Sequence, residues 1–142
     1  MQKLIPMLLI ILSGCAYAPQ QYYLEQGEYP ASYFVIKGWK AAGKKDYAGA
    51  HQFADECIQL YSEDAKELNE ECGMQDSGEI HAQCGILNDV GQCLFIKAQA
   101  YFDIDQVDEV KIVCNDIEFN YFNSYVIEPR AGSWKPAEAC KG

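Results

Sequence analysis

Asp46-Tyr47-Ala48-Gly49-Ala50 stands where the sequence predicts a turn leading into a long amphipathic helix. Asp46 is a favoured N-cap residue, because its carboxylate accepts hydrogen bonds from free N–H groups of the first helical turn. Apolar and small residues then recur at intervals of three and four, the spacing of one helix face. The residues at that spacing are Tyr47, Ala50, Ala54, Cys57, Ile58 and Tyr61. The stretch therefore predicts a helix with a narrow inner face of mostly small side chains.

The residues before this stretch predict a partner helix. Pro30 suits the first turn of a helix, since its missing N–H has no partner there in any case. Residues 31–42 then follow a helical spacing until Gly43 and two lysines break it. The inward positions are Phe34, Val35, Gly38, Trp39 and Ala42. Two consecutive helices with a short turn predict an antiparallel hairpin.

A second helical hairpin is predicted later in the chain. Asn88 and Asp89 can cap a helix that runs to about Phe102. Its inner side holds Leu94, Ala98 and Tyr101. After a turn at residues 103–105, Val107, Val110, Cys114 and Ile117 line the next helix.

The two hairpins together resemble the tetratricopeptide repeat (TPR), a helix-turn-helix unit of about 34 residues. The residues that carry the resemblance are Phe34, Gly38, Tyr47, Ala50, Ala54 and Cys57 in the first copy, and Leu94, Ala98, Tyr101, Val107, Val110, Cys114 and Ile117 in the second. The order of turn, aromatic residue and alanine at residues 46–50 is typical of these repeats. The resemblance implies an all-α fold and a protein- or peptide-binding groove. Tyr47 and Tyr101 lie near that groove, although core packing is the favoured role for both.

The copies depart from the repeat pattern in their spacing. Gly38 and Ala98 are 60 positions apart, so the repeats fall at about 31–64 and 91–124 with residues 65–90 inserted. The proline usual between repeats is replaced by Ser62 and Phe122. The insert begins as an acidic extension of the helix and then loses its periodicity. We expect a loop that is closed by cysteines at its ends, within a helical domain of residues 30–142.

The end of the chain predicts a short capping helix. Pro129 and Gly132 indicate a turn. Ser133 can then cap a last helix that lays Trp134 over the open end of the second repeat.

The N-terminal segment resembles an export signal. Leu12-Ser13-Gly14-Cys15 closes a segment of one lysine followed by nine mainly apolar residues at 4–12, a run too short to span a membrane. It resembles the lipobox of a bacterial lipoprotein. The resemblance implies removal of residues 1–14, acyl chains on Cys15 as the membrane attachment, a lipidated tether at residues 15–29, and a place in the bacterial cell envelope. Ala16 implies the outer membrane, with the leaflet undetermined. An ordinary signal cleaved near residues 16–18, or a buried helix, is the alternative.

Six cysteines remain once Cys15 is assigned to lipid. An even number in an exported chain predicts disulfides, although six cysteines allow 15 pairings. The helix arrangement favours Cys72 with Cys84, Cys114 with Cys140, and Cys57 with Cys93. A zinc site using His81 and Cys84 is the competing interpretation, but the short paired spacing of zinc motifs is missing.

The formal charge of −10 argues against nucleic acid or an anionic lipid surface as partners. Acidic side chains favour solubility, and a docking face for a basic partner is the alternative.

Catalytic signals are weak in this sequence. The imidazoles are His51, expected on the exposed side of its helix, and His81, which forms a conceivable nucleophile pair with Cys84. Asp103, Asp105 and Asp108 do not fit the calcium-loop pattern. The sequence thus predicts no catalytic residue, metal or cofactor.

The two resemblances together favour a non-enzymatic envelope adaptor that binds an unknown protein or peptide, and a role in envelope assembly or secretion is implied by the resemblance alone. A structural or accessory lipoprotein without a groove is the alternative. A small cysteine-dependent enzyme comes third.

Overall fold

Helices dominate the part of the chain that the computed structural model describes, residues 29–73, 82–130 and 132–142. The elements in chain order are α1 (Ala31–Gly43), α2 (Tyr47–Cys72), a 3-10 turn (Ala82–Cys84), α3 (Gly85–Phe102), α4 (Val107–Asn120), β1 (Val126–Glu128), β2 (Gly132–Trp134) and α5 (Pro136–Ala139). The all-α prediction is confirmed, with one small antiparallel β1–β2 hairpin added. The predicted signal and lipid site at residues 1–15, the tether up to residue 28, and His81 lie outside the described residues. None of the described helices has the length and apolar character needed to cross a membrane.

The two helix-helix turns have the same backbone geometry at positions 60 residues apart. The carbonyl of Ala41 accepts hydrogen bonds from the N–H groups of Lys44 and Asp46, at 3.1 and 3.0 Å. In the second turn the carbonyl of Tyr101 accepts from the N–H groups three and five residues on, at 3.2 and 3.0 Å. Lys45 and Asp105 both have a φ of 60°. The second turn therefore has the backbone geometry of the first, at the spacing of 60 residues found in the sequence.

The predicted Asp46 cap is present. Its Oδ1 atom accepts a hydrogen bond from the N–H of Gly49 at 2.9 Å. Behind this cap, the small side chains of Ala50, Ala54 and Cys57 are fully buried. These three buried positions belong to the inner face that the sequence predicts for α2.

Helix α3 packs against both helices of the first hairpin and against α4. Gly38 permits a close approach, because a Cβ atom there would lie 3.1 Å from Cδ1 of Ile96. The repeat residues Phe34, Leu94, Ala98 and Ile117 are also buried, as predicted.

Four of the predicted repeat positions differ in the structure. Val107 is 53% exposed, because it is the first residue of α4 and the buried face of that helix runs through Val113, Cys114 and Ile117. Val110, Tyr47 and Tyr101 are only half-buried.

The helix boundaries next to the insert also differ. Helix α2 continues to Cys72, so the first eight residues of the predicted insert are helical. Helix α3 begins at Gly85, and Asn88 lies inside it instead of capping it. The Oδ1 atom of Asn88 accepts a hydrogen bond from the N–H of Tyr125 at 2.8 Å.

Residues 121–126, here called the strap, cross the helices after α4 and are almost entirely buried. Asn123 donates from its backbone N–H to Oδ1 of Asn69 at 3.0 Å and from Nδ2 to the Asn69 carbonyl at 2.7 Å. Burial raises the pKa of the Tyr121 hydroxyl, and the charges of Asp116 and Glu63 add to the rise. The strap therefore joins the end of α4 to the extended half of α2.

The C-terminal segment corrects one expectation. Ser133 and Trp134 belong to β2, so Ser133 does not cap a helix; the short helix α5 begins after them at Pro136. A proline at the first position fits the start of this helix.

All three expected disulfides are present. The bonds join Cys57 with Cys93, Cys72 with Cys84, and Cys114 with Cys140. Their Cα atoms are 6.5, 6.0 and 5.6 Å apart, within the range that a disulfide requires. The second bond joins the ends of the predicted loop.

Candidate functional site

Three aromatic side chains form a continuous strip across one face of the molecule, here called the aromatic strip. Phe95 of α3 lies in the middle, with its ring centroid 6.3 Å from Trp39 of α1 and 4.9 Å from Trp134 of β2. All three side chains are half-buried, so part of each ring system meets solvent. The strip therefore spans α1, α3 and the C-terminal hairpin.

Both indole N–H groups of the strip are already used. Nε1 of Trp39 donates to Oε1 of Gln92 at 2.8 Å, and Nε1 of Trp134 donates to Oε1 of Glu128 at 3.2 Å. These bonds hold the two rings in place. A ligand on the strip would meet fixed apolar and π surfaces, which suit aromatic, aliphatic or cationic groups.

An open pocket of about 310 Å³ adjoins the strip, between α3, α4 and the C-terminal segment. Phe95 belongs to both the strip and the pocket. The lining is mainly apolar and includes Phe95, Ala98, Phe102, Val110 and the disulfide of Cys114 and Cys140. None of the lining residues has an ionisable side chain, apart from the bonded cysteines. The disulfide forms part of the wall, because it ties the segment after α5 to α4.

One stripe of helix α3 supplies most of this face. Gln92, Phe95, Gln99 and Phe102 follow one another at intervals of three, four and three, and so lie on the same side of the helix. The sequence pattern identified the buried positions Leu94 and Ala98, the second of which also lines the pocket, and did not single out the two phenylalanines. The signal for them was the interval of seven residues between two aromatic side chains on a helix.

The predicted groove tyrosines are not part of the strip. The ring of Tyr101, on α3, lies 4.2 Å from the ring of His51, on α2. The prediction that His51 is exposed is therefore wrong, because α3 covers it. Both ring nitrogens are buried and lack a hydrogen-bond partner among the described residues.

The histidine environment favours an uncharged ring. Burial lowers the pKa of His51, the charge of Asp55 opposes the change, and the charge of Lys97 lowers the pKa further. Nζ of Lys97 and Oδ1 of Asp55 form an ion pair at 2.6 Å beside it. This arrangement is part of the packing between α2 and α3 and contains no nucleophile.

The other chemical candidates are separated in space or bonded. Among the described residues, no group of three or more His, Cys, Asp or Glu side chains is placed to hold a metal ion. Cys84 is bonded to Cys72 and is therefore not a free thiolate. Asp103, Asp105 and Asp108 are all exposed around the α3–α4 turn.

Asp89, which lies away from this face, has a markedly raised pKa. Burial raises its pKa to about 6. Its site on α3 lies one helical turn before Cys93, and so faces the first hairpin.

Large exposed apolar side chains come from several elements of the described chain. Three of them, Phe102 at 62%, Ile104 at 43% and Val107 at 53% exposure, lie around the α3–α4 turn next to the pocket. Phe119, at 79%, lies apart on the outer side of α4. Exposed apolar side chains are thus clustered around the α3–α4 turn, whereas Phe119 lies apart from this cluster.

No protein family, curated protein or solved structure matches this chain. The functional argument therefore stands on its own residues. The aromatic strip and the pocket offer an apolar surface that is held in place by hydrogen bonds and a disulfide. Such a surface is suited to binding.

Proposed function

We propose that this protein is a non-enzymatic, lipid-anchored adaptor of the bacterial cell envelope that binds a peptide segment of another protein. The observation that carries the proposal is the aromatic strip running into an apolar pocket of about 310 Å³. Aromatic side chains that are partly exposed and held rigidly are typical anchors of binding surfaces. Acyl chains on Cys15 would hold the adaptor at the outer membrane.

Two observations support TPR-like pairing of the helices. The turns at Ala41–Asp46 and Tyr101–Gln106 have equivalent hydrogen bonds and the same positive φ, 60 residues apart. Helix α3 also packs against both helices of the preceding hairpin, as stacked repeats do. Two of the three strip residues, Trp39 and Phe95, lie on α1 and α3, the first helix of each hairpin. The strap and the C-terminal segment cover part of the second hairpin.

Peptide selection tests the binding role directly. A displayed peptide library is selected on the purified, disulfide-bonded protein, and binders are measured again on two exposed-surface variants. Phe102→Ser removes a pocket side chain, and Phe119→Ser is the matched control on the outer side of α4. We expect about a tenfold loss of affinity for Phe102→Ser and less than about twofold for Phe119→Ser.

The opposite result would favour the structural alternative. If no selected peptide depends on Phe102, the face is not a binding groove and an accessory lipoprotein without one is the better description. The anchor is tested separately by the mass of the N-terminal peptide isolated from the producing bacterium. A free, unmodified Cys15 would remove the lipid-anchored part of the proposal.

A further inference from the structure

An acidic segment forms the edge of the pocket. Residues 103–109, here called the acidic rim, connect Phe102 with Val110, two residues that line the pocket. The rim contains four exposed carboxylates and no basic residue; they belong to Asp103, Asp105, Asp108 and Glu109. Apolar Ile104 and Val107 alternate with them and are also exposed. The segment next to the pocket therefore combines exposed negative charge with exposed apolar side chains.

The rim is held against the pocket by specific contacts. Nε2 of Gln99, a lining residue, donates a hydrogen bond to Oδ1 of Asp103 at 2.9 Å. The N–H of Gln106 bonds to the carbonyl of Tyr101 at 3.0 Å, and Asp105 has a φ of 60°. These contacts place the first carboxylate directly beside the pocket wall and fix the path of the turn.

Basic residues near the pocket do not balance this charge. The residues directly after the lining residues Val110 and Cys140 are Lys111 and Lys141, so these neighbours contribute two positive charges and the rim contributes four negative ones. The whole chain has a formal charge of −10. A ligand with positive charge next to an apolar group matches both parts of this surface.

We propose that the pocket and the acidic rim bind a basic peptide segment, which places one large apolar side chain in the pocket and lysine or arginine against the rim. This inference rests on the proposed peptide-binding function and names its partner class. The pocket volume is at the small end of the range of about 300 to 1,000 Å³ for ligand sites, which suits one anchor side chain. Charged contacts at an exposed rim add little affinity singly, but they select partners and speed encounter.

The test uses four labelled probe peptides and fluorescence anisotropy at physiological salt. They are Lys-Lys-Leu-Trp-Lys-Lys, Ser-Ser-Leu-Trp-Ser-Ser, Glu-Glu-Leu-Trp-Glu-Glu and Lys-Lys-Gly-Gly-Lys-Lys. We expect the first to bind at least about tenfold more tightly than each of the others, because only it has both the anchor and the charge. Its affinity should fall as salt is raised, since the rim carboxylates are exposed to solvent.

Two charge-matched variants locate the effect. The rim variant combines Asp103→Asn, Asp105→Asn, Asp108→Asn and Glu109→Gln. The control variant removes four exposed carboxylates from α2 with Asp64→Asn, Glu67→Gln, Glu70→Gln and Glu71→Gln. Asparagine tolerates the positive φ at position 105, so the turn should keep its form. We expect about a tenfold loss of affinity for the basic probe in the rim variant and less than about twofold in the control.

The outcomes separate this inference from the proposed function. If the serine or glutamate probe binds as tightly as the lysine probe and still depends on Phe102, the face binds peptides but does not select basic ones. Equal losses in the two charge variants would also overturn the inference, because they would show attraction to the acidic chain as a whole. If no probe binds, and library selection yields no peptide that depends on Phe102, the inference and the peptide-binding function both fail.

Discussion

Helix α3 is packed in two very different ways on its two sides. Toward the first hairpin it is closed: Cys93 is bonded to Cys57 with neither residue exposed, and Lys97 pairs with Asp55. Toward α4 and the C-terminal segment it is partly open, with half-exposed Phe95 beside a pocket of about 310 Å³. We refer to these as the closed side and the open side.

The difference in packing between the two sides predicts which changes affect stability and which affect binding. Close packing leaves few voids, so a change on the closed side leaves a cavity or forces neighbours apart. Side chains at the edge of an open pocket are already solvated, so shortening them costs little folding energy. We therefore expect closed-side changes to act mainly on unfolding and open-side changes mainly on ligand affinity.

The largest expected effect comes from removing the closed-side disulfide. Replacing Cys57 and Cys93 by alanine should lower the free energy of unfolding by about 3 to 5 kcal/mol, whereas replacing Cys114 and Cys140 should cost about 2 kcal/mol. The bonds span 36 and 26 residues, a difference worth only about 0.3 kcal/mol in chain entropy. Burial decides the order, since Cys57 and Cys93 are unexposed and Cys140 is half-exposed. Urea unfolding of both double variants measures the difference.

Equal destabilisation by the two double variants would break the comparison. Chain entropy would then account for both bonds, and burial on the closed side would add nothing. Mass spectrometry of the intact proteins is the control, because the remaining bonds must keep their pairing.

A second large effect is expected where the strap covers the open side. Gly91 lies one helical turn before Phe95, and a Cβ atom there would lie 2.5 Å from Cβ of Ser124. Gly91→Ala should therefore push the strap away and cost about 2 to 3 kcal/mol in thermal or urea unfolding. The strap makes this end of the open side as closely packed as the closed side. A change at Gly91 should therefore act on unfolding, as closed-side changes do.

Ser124 provides the matched test of that contact. Adding Ser124→Gly to Gly91→Ala should restore much of the lost stability, because it removes both atoms that the new Cβ meets. Ser124→Ala keeps the Cβ atom and should not restore it. Rescue by both replacements would mean that the hydroxyl alone causes the clash.

The sequence predicted the helices well, because caps and helical spacing depend on residues that are close together in the chain. The Asp46 cap and the small inner face from Ala50 to Cys57 follow from spacing along one helix. The six cysteines allowed 15 pairings, and the pairing favoured from the helix arrangement is the one present. The strap had no such signal. Asn69 and Asn123 are 54 residues apart, and their paired hydrogen bonds depend on the tertiary arrangement.

The site was harder to predict than the fold, for a physical reason. Helical periodicity identifies the buried face, and it predicted the inner residues Leu94 and Ala98 correctly. Phe95 and Trp134 are half-buried and meet only because the C-terminal hairpin folds back onto α3. The same limit explains Val107 and His51, whose exposure was decided by the helix end and by a neighbouring helix.

A smaller effect is expected from the half-buried carboxyl of Asp89 on the closed side. Its pKa is raised from 3.8 to about 6 by burial, so the folded protein disfavours its charged form. That penalty is absent below about pH 4, grows as pH rises through about 4 to 6, and is complete at pH 7. Asp89→Asn should therefore raise stability by about 1 to 2 kcal/mol at pH 7, after allowance for solvent screening, and by nearly nothing at pH 4. Thermal melting of both proteins from pH 4 to 7 measures it, and a pH-independent difference would point to packing instead.

The smallest stability effects are expected at the rim of the pocket, where the comparison is tested most sharply. Val107 and Phe102 are more than half exposed, so Val107→Ser and Phe102→Ser should each change the free energy of unfolding by less than about 0.5 kcal/mol. Of the two, only Phe102 lines the pocket, and only its replacement should weaken a pocket ligand by about tenfold. Urea unfolding and peptide anisotropy on the same samples give both numbers. If Phe102→Ser destabilises the protein as much as a closed-side change does, its ring is a structural support of the second hairpin, and its effect on affinity cannot be assigned to direct contact with a ligand.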